Sequence, residues 1–139
     1  AMKKAKNILY ITDNCGEAVF DTLLMGEFKE KIICAVRGRP TLNDVTRAEA
    51  IPSGLDQVCT KLIDTGDNTP GIDLKRSSAE FLEAYRKADL ILAKGQGNFE
   101  TLYGCNLNVY YLFMCKCTLF ANRFHKNLFE GMLINDKNV

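Results

Sequence analysis

Short, continuous apolar runs alternate along the chain with stretches whose apolar residues recur every three or four positions. Ile8-Leu9-Tyr10-Ile11, Ile32-Ile33-Cys34-Ala35-Val36, Lys61-Leu62-Ile63, Asp89-Leu90-Ile91-Leu92-Ala93 and Val109-Tyr110-Tyr111-Leu112-Phe113-Met114 read as strands. The second is apolar throughout, which predicts burial on both faces. Residues 118–121 read as a further strand, and 132–134 as an edge strand near the end. The helical patterns fall between the runs. Residues 18–28 carry Phe20, Leu23, Leu24 and Phe28 on one stripe, with Asp21, Thr22 and Glu27 off it. Residues 45–50 form a short helix with Asn43 or Asp44 as N-cap and Pro52 as its stop. Ser77 and Glu80 make a capping box for a third helix, whose stripe is Phe81, Leu82, Tyr85 and Ala88. Residues 99–103 suit a helical turn. Strands alternating with helices predict one α/β domain over residues 1–139, a Rossmann-like three-layer α/β/α sandwich with a mostly parallel sheet.

Parallel strands bring their carboxyl ends to one edge, and ligands of open α/β sheets bind there. Four strand ends carry polar residues suited to chemistry: Asp13-Asn14, the segment from Arg37 to Asp44, Asp64-Thr65-Gly66, and Lys94-Gly95-Gln96-Gly97-Asn98. Asp13, Asn14 and Asp44 are hard oxygen donors of the kind that suit Mg²⁺ or Mn²⁺. The competing reading makes Asp13 and Asp44 simple caps of the helices that follow. The glycine loop after Lys94 could present backbone N–H groups to a phosphate, with the ammonium beside them. A tight turn explains the same residues, and the loop lacks the third glycine of a dinucleotide fingerprint. An Asx-type turn accounts for Asp64-Thr65-Gly66.

Composition narrows the classes. The chain has 139 residues, 47% of them hydrophobic and 25% charged, and a net charge of +1. That balance carries no basic footprint for nucleic acid or an anionic membrane. No apolar run approaches the ~20 residues of a membrane span. Lys3, Lys4 and Lys6 lead straight into a strand rather than a signal sequence, and the six cysteines form no C-x-x-C pair. Cytoplasmic, reduced thiols are the resulting expectation. Cys15, at a helix start where the dipole favours thiolate, is the one cysteine with a case for reactivity. His125 has no partner in the pattern and reads as a surface residue.

Taken in order, Asp13-Asn14-Cys15-Gly16-Glu17, the segment from Val36 to Thr46, Asp64-Thr65-Gly66 and Lys94-Gly95-Gln96-Gly97-Asn98 resemble the motifs of the damage-control phosphatases, catalogued as domain of unknown function 89. The resemblance runs over residues 8–134. It implies a metal-dependent phosphatase acting on sugar phosphates or damaged phosphometabolites, with Mn²⁺, Mg²⁺, Co²⁺ or Ni²⁺ held by Asp13, Asn14 and Asp44. It places Lys94, Gly95, Gly97 and Asn98 against the phosphate, and assigns catalysis to Asp13, Asp44 and Lys94. Glu17 and Arg37 are further candidate substrate contacts. Either an activated water or Asp13 itself would attack phosphorus. Members usually carry a helical domain before the first of these strands, and this chain begins a few residues before Ile8. The expectation is therefore an α/β domain without that cover, with an exposed face able to support homo-oligomers. Two rivals stand beside it: a metal- and phosphate-binding domain that does not turn over, and a nucleotide-binding Rossmann domain.

Overall fold

The computed structural model describes residues 1–138. The strands are β1 (Ile8–Ile11), β2 (Ile32–Val36), β3 (Lys61–Asp64), β4 (Leu90–Lys94), β5 (Val109–Met114) and β6 (Gly131–Asn135). The helices are α1 (Cys15–Gly26), α2 (Arg47–Ala50), α3 (Ala79–Lys87), α4 (Gln96–Leu102) and α5 (Thr118–Arg123). The six strands form one sheet in the order β3-β2-β1-β4-β5-β6. All pairings are parallel except β5 with β6. The order reverses direction between β1 and β4, which opens a crevice beyond their carboxyl ends.

Alternation along β1 divides the core. Leu9 and Ile11 face one layer with Phe81, Tyr85, Phe99 and Tyr111. Ile8 and Tyr10 face the other with Ala18, Met25, Val45 and Leu55. All four β1 residues are buried, as a central strand covered on both faces requires. The three-layer sandwich expected from the pattern is therefore the observed architecture.

Several local expectations change. Residues 118–121 lie in α5, not a strand; Phe120 packs edge-on to Phe99, an aromatic contact made from a helix. The cap of α2 is Thr46 rather than Asn43 or Asp44; its hydroxyl accepts from Ala48 N–H, and Glu49 reaches back to the Thr46 N–H. Asp44 is thereby free of capping duty. The cap of α3 is Ser78, one residue beyond Ser77, and the helical turn after β4 extends to a full helix from Gln96.

The largest change is the orientation of α1. Phe20 and Leu23, on the expected core stripe, are 71% and 73% exposed, whereas Ala18, Asp21 and Met25 are buried. Asp21 faces inward because Lys94, buried at the end of β4, takes it as a counter-ion at 2.7 Å. Leaving a buried ammonium unpaired costs more than exposing apolar side chains. The apolar flank of Val19, Phe20 and Leu23 consequently faces solvent. This orientation predicts opposite outcomes for neighbouring substitutions. Met25→Ala should cost about 2–5 kcal/mol in urea denaturation, and Leu23→Ala should stay within about 0.5 kcal/mol. The reverse ranking would mean that the helix presents its other face.

Candidate functional site

Asp13 and Asn14 leave the end of β1, and the 41–46 segment crosses back over them. Val45 N–H donates to the Asp13 carbonyl at 2.8 Å, and Cys15 N–H to the Asn43 carbonyl at 2.9 Å. This short antiparallel bridge sets Asn14 beside Asp44. Across the crevice, Gly95 begins the turn after β4 with φ +82°. A Cβ on Gly95 would lie 2.2 Å from the Asp13 carboxyl carbon, so the backbone there stacks directly on the carboxylate. No side chain larger than hydrogen fits that approach.

Burial raises the Asp13 carboxyl to about 6, and the nearby Asp44 and Glu17 carboxylates push it the same way, against Lys116 and Arg37. The Asn14 amide nitrogen donates to Asp13 Oδ2 at 2.8 Å and to Glu17 Oε1 at 3.1 Å. Arg37 Nε holds Asp44 Oδ2 at 2.6 Å. Asp13 Oδ1, Asn14 Oδ1 and Asp44 Oδ1 receive no protein hydrogen bond among the described residues. Two carboxylates and an amide carbonyl with open oxygens, in a locality crowded by negative charge, fit a hard divalent cation. Among the described residues no group of three His, Cys, Asp or Glu side chains is arranged to hold one, so any such ion would rely on Asn14 and water to complete its ligands.

Lys94 is buried, and its Nζ donates to Asp21 Oδ1 at 2.7 Å and Glu17 Oε2 at 2.8 Å. Burial works against its charge, but these two bonds win and raise its pKa. Burial likewise pushes Glu17 up, and the Lys94 hydrogen bond and charge overcome it, holding that carboxyl low. Arg37 and Asn98 are buried below the crevice. Arg37 Nη1 donates to the Gly71 carbonyl and Nη2 to Asn98 Oδ1, while Asn98 Nδ2 donates to the Thr12 and Lys94 carbonyls. Their polar atoms are thus engaged inside the protein, bracing β1, β2 and β4 together. The Gly95 N–H donates to the Leu112 carbonyl, which removes it from any phosphate nest. Gly97 packs near Gly71. Asp64 Oδ1 accepts from Gly66 N–H, the expected Asx-type turn, and Oδ2 from Arg47, away from Asp13.

A cavity of about 290 Å³ opens over Asp13, Glu17, Lys94, Gly95, Gln96 and Lys116. Lys116 is the residue that sequence reasoning missed. It follows β5, and its backbone N–H is tied to Gln96 Oε1 at 3.0 Å. Its ammonium makes no hydrogen bond or ion pair among the described residues, while its charge is felt by both Asp13 and Glu17. The only available signal was its place after a fifth parallel strand, on the same edge as the other sites. Asp21 was missed because it sits opposite the apparent apolar stripe. The case for Cys15 weakens: desolvation, then the Glu49 and Asp44 charges, raise its thiol against the favourable helix start. His125 is exposed in a loop, as expected, and all six cysteines are unpaired. A larger cavity of about 400 Å³ lies at the opposite end of the strands, where Lys61 and Lys87 are already paired with Glu80 and Glu83. No helix is long and apolar enough to cross a membrane among the described residues.

Comparison with known proteins agrees with the fold and gives the family. The model of the damage-control phosphatase ARMT1-like domain matches residues 1–131. A damage-control phosphatase of Pyrococcus horikoshii is 43% identical over 125 residues, which are 86% of this chain and 43% of that protein. An uncharacterized protein of Methanocaldococcus jannaschii is 40% identical over 139 residues, 95% of this chain and 45% of its own length. The crystal structure of a DUF89 family protein from P. horikoshii superimposes with a TM-score of 0.89 at 38% identity, covering 97% of this chain and 49% of that one. The chain thus spans less than half the length of the curated relatives it matches.

The approach of Gly95 to Asp13 can be isolated with a control. Gly104 shares the positive φ of Gly95, +81° against +82°, with open space around it. Gly104→Ala should cost only the left-handed backbone, about 1 kcal/mol. Gly95→Ala should cost more in denaturant unfolding, both because its φ +82°, ψ 155° is a glycine region and because the Cβ overpacks Asp13, and adding Asp13→Ala should relieve the overpacking share of about 1–3 kcal/mol. Equal costs would mean that Asp13 does not lie against Gly95.

Proposed function

The chain belongs to the damage-control phosphatase ARMT1-like family, and on that premise we propose that it hydrolyses small phosphate esters, of the sugar-phosphate or damaged-phosphometabolite kind, in the crevice over Asp13. The observation that carries this reading is the charge balance of the crevice. Asp13, Asp44, Glu17 and Asp21 bring four carboxylates, and both buried cations, Arg37 and Lys94, are already paired with three of them. A phosphate dianion would be repelled by such a site alone. A divalent cation on Asp13, Asn14 and Asp44 reverses the balance, and Mn²⁺, Mg²⁺, Co²⁺ or Ni²⁺ all suit oxygen donors to differing degrees. Bound there, the ion would supply Lewis-acid stabilisation of the phosphoryl oxygens and a more acidic water.

The protein's own groups divide the remaining work. Lys116 contributes a positive charge with no carboxylate on it, facing the same cavity. Lys94 keeps one of its three N–H donors beyond those given to Glu17 and Asp21, available to a phosphate oxygen. Together they neutralise equatorial oxygens, the dominant contribution in phosphoryl transfer. Arg37 and Asn98 act beneath the substrate by fixing Asp44 and the β1 and β4 ends. Gly95 and Gly97 let the backbone approach closely. Attack comes from a water, or from Asp13 Oδ1, which no protein donor occupies.

One second reading is that metal and phosphate bind here without turnover, since both buried cations of the crevice already hold carboxylates. Metal-stripped protein assayed with p-nitrophenyl phosphate separates the two. With one of the four ions added, phosphate release should appear and should vanish in Asp13→Ala. Lys116→Gln should raise KM by about ten-fold, as loss of a charged hydrogen bond to the anion predicts. Calorimetric Mn²⁺ binding with no release under any ion would establish the non-catalytic reading instead. Neither binding nor release would remove both.

A further inference from the structure

We propose that Asp21 is a positioning residue that, through Lys94 and Glu17, fixes which way the Asn14 amide faces. The inference rests on the reading of Asp13, Asn14 and Asp44 as a ligand set, and adds the element that orients it.

The contacts form an unbroken chain from the core to the crevice. Tyr10, wholly buried in β1, donates its hydroxyl to Asp21 Oδ1 at 2.7 Å. The same oxygen accepts from Lys94 Nζ at 2.7 Å, and Lys94 passes a second N–H to Glu17 Oε2 at 2.8 Å. Glu17 Oε1 then accepts from Asn14 Nδ2, which also donates to Asp13 Oδ2. Were the Asn14 amide reversed, its Oδ1 would confront two carboxylate oxygens with no donor between them. As long as Glu17 stays in place and ionised, the nitrogen must face inward and Oδ1 outward, which is the orientation a metal requires.

Glu17 cannot hold that place unaided. Its side chain is 43% exposed, in the first turn of α1, and Lys94 is what anchors it. Lys94 is in turn fixed by Asp21, whose side chain is 8% exposed and whose position Tyr10 sets. Asp21 is also a costly residue to bury for packing alone, since its Oδ2 is buried with no partner. A buried charge with one idle oxygen is explained by the ammonium it must hold, not by the space it fills.

The test uses an isosteric change. Asp21→Asn keeps Oδ1 as acceptor and places its NH₂ where Oδ2 has no partner, but removes the charge that holds Lys94. The Asn14 side-chain cross-peak in a ¹⁵N-labelled protein, assigned by its loss in Asn14→Asp, reports the amide directly without metal or turnover. In Asp21→Asn that cross-peak should move while backbone resonances far from the crevice stay. Calorimetric Mn²⁺ affinity should fall by about ten-fold or more, the usual effect of losing an outer partner. An unmoved cross-peak in a folded variant, or a moved one with Mn²⁺ affinity unchanged, overturns the proposal. Should Asp21→Asn fail to fold, Tyr10→Phe must shift the same cross-peak, and an unmoved peak there overturns it equally. If the unaltered protein binds no Mn²⁺, the metal reading fails by itself, and the cross-peak alone decides the role of Asp21.

Discussion

Lys94 is an ammonium at the buried end of a central strand, and much of the structure follows from how its charge is met. A charge taken out of water is tolerable only with close counter-charges hydrogen-bonded to it. Two carboxylates supply these, both from α1 and one helical turn apart. The helix must therefore lie with Glu17 and Asp21 toward β4. That rotation buries Ala18 and Met25 on the same face and turns Val19, Phe20 and Leu23 outward. The ion pair is set into an apolar layer, with Tyr10 beneath it and the crevice above. Its strength is not the point of interest; such pairs seldom add net stability. What it gives is a fixed orientation for the first turn of α1, where the side chains that face the crevice begin.

The crevice itself is built from close approaches. Gly95 lies against the Asp13 carboxylate, and the 41–46 segment bridges back to Asn14, so three loops from three strands meet within hydrogen-bonding reach. Arg37 and Asn98 lock them from below with bonds to carbonyls of both neighbouring strand ends. The upper surface is left with open carboxylate and amide oxygens. The charges of Arg37 and Lys94 are met by carboxylates, whereas that of Lys116 meets none among the described residues. A site with this balance cannot attract an anion by its own field, and its Asp13 carboxyl is already raised by the crowding of like charge.

Patterning had a clear view of the sheet and a poor one of side-chain direction. Five apolar runs and the edge strand fall where strands are observed, because a strand buried on both faces must be apolar regardless of its neighbours. Residues 118–121 read as a strand because so short a run has no period of its own, and only backbone bonds such as Ala121 N–H to the Cys117 carbonyl show that it is helical. The helix caps moved by one to three residues, since several adjacent Ser, Thr, Asn and Asp side chains compete and the winner depends on where the chain must turn.

The sequence alone determined the α/β class, the order of elements, and the gathering of Asp13, Asn14, Asp44 and Lys94 at one edge, because parallel strands leave no other place for their carboxyl ends. It also carried the family likeness in four ordered motifs. Only the tertiary structure decided which polar groups meet. The pairing of Lys94 with Asp21 spans 73 residues, and that of Arg37 with Asn98 spans 61. No local period encodes either. Phe20 and Leu23 of α1 face solvent, and Lys116 has no partner among the described residues, for the same reason. A helix rotates to satisfy the most costly buried group available to it, and in this protein that group is an ammonium supplied by a strand far along the chain.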